Sequence, residues 1–286
     1  ATGEFAGESY DNDPSDRIHW TGPIILTWNG SVSTDWNDSL NWTASYGPPI
    51  VPTGAEDVII AAALNQPILT TFGQITANLN IESGATLRFN TPADANEIDL
   101  DVNGDFTIEN GGSLQLLSTG DYLNVEGNWE KQTSGTTIID GNVTFDGAGG
   151  AKTIDNGNSP FYNLTIAGYS LYQLARATYV DNDLVVADTS TLDVTTADYA
   201  LYIDGDFYNY GTFQSQNGKV NFLASSGPRT IINNSDFYDI DINASGVTYQ
   251  LGGNVSVNRN LNIINGTLDL NGNTLNMGDG AGTDYL

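Results

Sequence analysis

Blocks of this chain recur in register at an offset of 76 to 77 residues, and no other feature restricts its fold as much. Gly141-Asn142-Val143-Thr144-Phe145 returns as Gly218-Lys219-Val220-Asn221-Phe222. Phe161-Tyr162-Asn163-Leu164 returns as Phe237-Tyr238-Asp239-Ile240, Tyr172-Gln173-Leu174 as Tyr249-Gln250-Leu251, and Thr191-Leu192-Asp193-Val194 as Thr267-Leu268-Asp269-Leu270. Self-similarity at a fixed period marks architectures in which each unit buries its apolar face only against its neighbours. Inside the blocks the beat is short. Apolar-x-apolar triplets such as Leu79-x-Ile81, Phe106-x-Ile108, Leu123-x-Val125, Leu261-x-Ile263 and Leu275-x-Met277 are separated by Gly, Asn, Asp or Thr, and helical periodicity is nearly absent. Side chains alternate across a strand, so each triplet sends two apolar residues to one face and a polar residue to the other.

A 77-residue unit is too long for one propeller blade or one coil, but it accommodates roughly three coils of three short strands. The sequence therefore predicts an all-β chain, a right-handed parallel β-helix, with residues 75–277 making roughly eight or nine coils stacked at about 4.8 Å. Two packed β-sandwiches are the rival architecture, which would place hairpins, not corners, at Asn265-Gly266 and Asn271-Gly272-Asn273. The predicted organisation is a leader and Trp-rich cap over 1–50, then a solenoid over 51–286 whose repeats cover about 123–200 and 201–278.

Charge narrows the partners. With 35 Asp and Glu against 8 Lys and Arg, the formal net charge is −27, which repels nucleic acid and anionic lipid and leaves neutral or cationic partners. No cysteine is present, so disulfides, thiolate metal sites and cysteine nucleophiles are excluded. No run of about 18 apolar residues occurs, so no membrane span is expected. The first residues, Ala1-Thr2-Gly3-Glu4-Phe5, lack a basic and an apolar leader region and read as a mature form. Low Lys, a single Met and abundant Asn, Thr and Gly point to an extracellular or cell-surface location.

The same counting argues against an enzyme. His19 is the single histidine, so a histidine dyad or His-rich metal cluster is excluded in one chain. Carboxylate pairs arise on any fold carrying 35 acids, so they do not indicate a glycosidase. Lys152 and Arg229 occupy equivalent repeat positions, which suits a repeated surface role better than a lyase site.

Three sets of residues stand out. Trp28, Trp36 and Trp42 form either an aromatic platform for sugar rings or a hydrophobic lid over the first coil, and their place directly before the first repeating strands favours the lid. Asp11, Asp13 and Asp16 alternate as calcium ligands do, but they lack the glycine and distal glutamate of an EF-hand loop and read better as a solvated acidic leader. Calcium is thus the one candidate cofactor. Asp279 and Asp284 bear only a faint likeness to calcium-binding repeat loops.

Thr27-Trp28-Asn29-Gly30-Ser31, Asp35-Trp36-Asn37, Asn41-Trp42 and Val51-Pro52-Thr53, followed by Asp57-Val58-Ile59-Ile60, resemble the opening of β-helical surface and adhesin-like secreted proteins of Bacteroidetes. The likeness continues in Asn78-Leu79-Asn80-Ile81 and Gly104-Asp105-Phe106, and it is one of repeat style. It implies a secreted or surface-attached protein whose β-helix serves as stalk or adhesive surface. Such proteins often carry a C-terminal sorting domain, and nothing after Met277 resembles one.

A solenoid has two open ends. About 50 non-repeating residues precede the coils here, whereas Leu275-Asn276-Met277 runs into nine residues that are mostly small or acidic. The expectation is head-to-tail self-association into a fibre, with His19 and Trp20 of one copy docking on Leu275 and Met277 of the next. The alternative function is a carbohydrate-binding module or lyase-like β-helix acting on polysaccharide.

Overall fold

The computed structural model describes residues 22–90 and 97–278. They form an all-β parallel solenoid of about ten turns. Among the described residues the only helix is one 3-10 turn, Ser39–Asn41. A ten-stranded sheet runs from Trp42–Ala44 through Ile25–Trp28 and Asp57–Ile60 to Thr212–Gln214, and a four-stranded sheet joins Ile68–Leu69, Thr86–Phe89, Ser113–Leu116 and Thr136–Ile139. A fourteen-stranded sheet covers the rest of the wall. It spans two faces of the rod because Asp236–Leu251 and Val255–Asp269 run unbroken round a corner and pair on both sides of it.

The pairing is parallel throughout except where Ile25–Trp28 meets Trp42–Ala44. Each turn thus bonds to the next turn along the chain, as in Leu79↔Phe106↔Trp129↔Ile154. The Asn-Gly sites are corners. Asn271, Gly272 and Gly266 have φ of 50°, 77° and 95°, and on either side of Gly266 the strand pairs in parallel with the turn below. That left-handed backbone is what Asn and Gly tolerate. Inward Leu, Ile, Val and Phe make one continuous core from Leu26 to Leu261.

The Gly-Asp/Asn-aromatic motif proves to be the joint between turns. The Asn78 side-chain oxygen accepts the backbone N–H of Asp105 at 2.7 Å, Asp105 accepts that of Asn128 at 2.8 Å, and Asn128 accepts that of Thr153 at 2.8 Å. A second column does the same, from Asp183 to the N–H of Asp206 at 2.8 Å and from Asp206 to that of Thr230 at 2.6 Å. Each side chain takes the place of a ladder bond at the corner, where the backbone is turning and strand pairing fails. The preceding residue must be glycine: a Cβ on Gly127 would stand 2.4 Å from the Gly104 carbonyl oxygen, and one on Gly205 2.3 Å from that of Asn182. The aromatic that follows turns inward, so Phe106, Trp129 and Phe207 are buried.

The four-stranded sheet stops at Thr136–Ile139 for a local reason. The next turn crosses that face as Asn156-Gly157-Asn158-Ser159-Pro160, in which Gly157 and Asn158 have φ of 57° and 65° and Pro160 has no N–H to give. Strand pairing on that side of the rod resumes at Thr178–Val180.

The sequence repeat does not contain a whole number of turns. Val143 belongs to the column Val143–Leu164–Leu184–Phe207–Ile231–Leu251. Its counterpart Val220 belongs to Leu201–Val220–Ile240–Leu261, on a different face. From Val143 the chain makes three turns to reach Phe207, then passes Phe213 on the ten-stranded sheet before Val220, two faces further on. The expected value was roughly three coils. The two repeats are therefore related by a screw of three turns and two faces.

Candidate functional site

The described surface offers two ends and a flank, and each follows from how the turns stack. At the N-terminal end, Trp28 pairs across to Trp42 on one side and Ile60 on the other, while Asp35 bridges to Ile68, which seats Trp36 over the next face. The rings meet edge to face: Trp28 and Trp42 at 5.0 Å, Trp36 and Trp42 at 4.8 Å, both pairs at 84°. Trp28 donates its indole N–H to the Asn65 carbonyl at 2.8 Å, and Trp42 donates to that of Trp36 at 2.9 Å. Buried Asn41 ties the intervening loop, accepting the N–H groups of Val32 and Ser33 at 2.9 Å and donating to the Ser33 hydroxyl and the Asp35 carbonyl at 3.0 Å. All three tryptophans are buried, so they close the first coil and offer no ring face for a sugar to stack on.

The C-terminal end differs. Leu261, Ile263 and Leu268 lie directly over Ile240, Ile242 and Tyr249, which are buried. Nothing described lies over them in turn, and Ile263 is 50% and Leu270 40% exposed. Leu275 and Met277 are partly buried against the core. Large exposed aliphatic or Phe side chains concentrate at the two ends: Val32, Leu40, Leu64 at 97% and Phe72 at one, Ile263, Ile264 and Leu270 at the other. Between them lie only Leu117 and Ile138 among the described residues.

The flank is polar. A shallow open groove of about 370 Å³ runs beside the Asp105/Asn128 corner, lined by Thr107, Glu130, Thr153 and Asp155. It forms where strand pairing between Trp129–Lys131 and the next turn shrinks to two residues. Cations on this wall are tied down: Arg176 pairs with Asp155, Arg259 with Asp239, and Lys219 with Asp241 at 2.6 Å. Lys152 donates to the carbonyls of Ala148 and Gly149 and to the Ser170 hydroxyl, pinning a glycine-rich bulge. Its counterpart Arg229 faces another flank.

Burial and neighbouring acids hold three carboxyls above the usual range. Burial is the main cause at Asp181, reinforced by Asp140, and at Asp204, reinforced by Asp181 and opposed by Arg229. Val180 pairs with Ile203, so these two acids sit one turn apart at one corner. Asp146 is raised likewise by burial, with Glu126 and Asp101 adding to it. No group of three or more metal-ligating side chains occurs among the described residues. Asp11, Asp13, Asp16, Asp279 and Asp284, and the docking pair His19 and Trp20, lie outside the described residues.

Two buried tyrosines repeat one device. The Tyr172 hydroxyl accepts the Gly147 N–H at 2.9 Å and donates to the Glu126 carbonyl at 3.1 Å; that of Tyr249 accepts the Ala224 N–H at 3.2 Å and donates to the Ile203 carbonyl at 3.4 Å. Burial pushes both hydroxyls up to about 12. Their recurrence was visible in the sequence, but not that each bridges the corners of two lower turns.

Residues 27–130 match a family model described as a domain of unknown function, DUF8693. That span holds the tryptophan cap and the first turns of the rod, including the first Gly-Asp-aromatic corners. No curated protein and no solved structure matches the chain. No helix among the described residues is long and apolar enough to cross a membrane.

Proposed function

We propose that this chain is an extracellular structural rod, a subunit of a surface fibre or adhesive stalk whose copies associate head to tail. The observation that carries the reading is the concentration of large exposed aliphatic and Phe side chains at the two ends, against Leu117, Ile138 and three tyrosines, Tyr169, Tyr179 and Tyr210, on the wall between them. Apolar patches of this sort mark contact surfaces. An end contact between unlike surfaces is heterologous, so it propagates. The −27 charge makes copies repel, and salt at physiological strength shortens that repulsion to about 8 Å, so association should strengthen with salt. The cysteine-free, lysine-poor composition and the likeness of the tryptophan motifs to Bacteroidetes surface proteins support the location.

Sedimentation velocity and negative-stain microscopy of the full chain at rising concentration and salt provide the test. Linear assemblies are expected, and Ile263→Asp combined with Ile264→Asp should abolish them without unfolding the rod. Deleting residues 1–20 should do the same if His19 and Trp20 dock. Monomers under every condition, or assemblies indifferent to the double substitution, would overturn the proposal. A polysaccharide-binding role is the second reading, favoured by the polar groove alone; Glu130→Ala should then weaken oligosaccharide binding in a titration.

A further inference from the structure

On the flank where strand pairing resumes at Thr178–Val180, the chain carries outward groups that its fold does not use. Tyr179 pairs with Tyr202 one turn on, and their rings stack at 4.3 Å and 6°. Tyr179 is 39% exposed. Asp181 and Asp204 follow the two tyrosines at the next corner, and Asp140 stands at that corner two turns below, near enough to act on Asp181. None of these three carboxyls enters an ion pair or a side-chain hydrogen bond among the described residues, where the ion-paired acids are Asp155, Asp239 and Asp241. Described turns flank the patch on both sides, Thr136–Ile139 below and Lys219–Phe222 above.

The internal repeat separates what the fold needs here from what it does not. Tyr179-Val180-Asp181 returns as Ser256-Val257-Asn258, and Asp140-Gly141 as Asn217-Gly218. Across a corner two residues shorter, Leu201-Tyr202-Ile203-Asp204 returns as Leu275-Asn276-Met277-Gly278. The inward positions stay apolar and the strands still form, while both tyrosines and all three aspartates give way to uncharged, non-aromatic residues. Packing therefore does not call for them. The aspartates even oppose folding, since burial and the acids beside them hold the Asp181 and Asp204 carboxyls above their usual range.

We propose that this flank binds an arginine-bearing basic segment of another protein, whose guanidinium groups stack with the Tyr179–Tyr202 pair and pair with Asp181 and Asp204. Charge sets the sign of the partner: the chain carries −27, and at this corner three carboxyls face the guanidinium of Arg229. Ring geometry selects the cation. Two rings stacked as parallel plates offer outer faces and edges, to which a planar guanidinium adds as a further plate while its fork meets a carboxylate. A lysine ammonium is a strongly hydrated point charge without that match, and a sugar needs a ring laid flat against the wall. The contact is lateral and does not rest on the end-to-end assembly.

The test is a titration of the full chain with an octapeptide of alternating arginine and serine, whose guanidinium groups share one face when it is extended. Its lysine–serine counterpart is titrated beside it, both at about 100 mM salt, where distant charges are screened. The arginine peptide should bind about threefold tighter or more. Tyr179→Ser with Tyr202→Asn, the residues the repeat itself places there, should erase that preference and leave the lysine peptide nearly unaffected. Tyr179→Phe with Tyr202→Phe should keep it, because the rings remain. Asp181→Asn with Asp204→Asn should weaken both peptides about tenfold. Asp188→Asn with Asp236→Asn removes the same charge from exposed positions elsewhere and should weaken them less than about twofold. Equal weakening by the two aspartate pairs overturns the inference, as does an arginine preference that survives loss of both rings, or no binding of either peptide. Tighter binding of a glucosamine hexamer than of the arginine peptide, lost with the same substitutions, overturns it in favour of a cationic polysaccharide.

Discussion

The two ends of the rod solve one problem in opposite ways. At the N-terminal end the chain leaves the repeat pattern, turns an antiparallel strand against the first parallel one, and fills the opening with three tryptophans. At the C-terminal end the pattern runs on until the last described turn, and Ile263 and Leu270, whose counterparts Val186 and Val194 are buried one repeat earlier, are exposed while Leu261 stays buried. The difference teaches that closing a solenoid takes sequence that breaks its own rule, because every repeating turn recreates the unpaired edge it has just covered.

Truncation at the two ends should widen that contrast most. Trp42→Ala removes a buried ring that touches both other tryptophans, and should cost about 3–5 kcal/mol, whereas Ile263→Ala at the half-exposed end should cost less than about 1 kcal/mol. Urea unfolding of the two variants checks this, and comparable losses would mean that the C-terminal end is covered.

Glycines sharpen the comparison next. Gly127→Ala forces a methyl into the Gly104 carbonyl and should cost about 1–3 kcal/mol. Gly272→Ala, in open space near the C-terminal end with a φ of 77°, suffers only the left-handed strain of about 1–2 kcal/mol. Thermal unfolding should rank them in that order.

The hydroxyl devices of the two repeats come third. Tyr172→Phe and Tyr249→Phe should each cost about 1 kcal/mol in chemical denaturation, because the Gly147 and Ala224 N–H groups lose their acceptor. Equal losses are expected although one sits mid-rod and the other near the open end.

The smallest effect is electrostatic. Asp181 and Asp204 have raised folded pKa values, so the folded state holds their protons more tightly than the unfolded chain does. The penalty they impose is absent below the ordinary carboxylate range, where both states are protonated, and complete above the raised folded values. Stability from these groups should therefore fall as pH rises through that window. Asp204→Asn should stabilise the rod at neutral pH and flatten this slope; a steeper slope would contradict the assignment.

Much of this could be read from the residues. The triplets announced short strands, and Asn and Gly at 265–273 announced turns, but whether those turns were hairpins or corners depended on contacts about 20 residues away that local pattern does not encode. The tryptophan cap was legible because Trp28, Trp36 and Trp42 precede the first repeating strand. The exposure of Leu64 and Phe72 was not legible, since an apolar residue off the beat looks the same whether it is buried or exposed. Tyr172 and Tyr249 were seen as recurring letters, while the role of their hydroxyls needed the third dimension.

Because the repeat advances by three turns and two faces, duplicated surface features do not line up along one side. Lys152 and Arg229, alike in sequence, sit on different faces of the rod, as would any ligand-binding spot copied with the repeat. A strand of such rods would have a front and a back but no preferred side. Lengthening it would scatter lateral contacts around its girth, giving single threads that resist bundling.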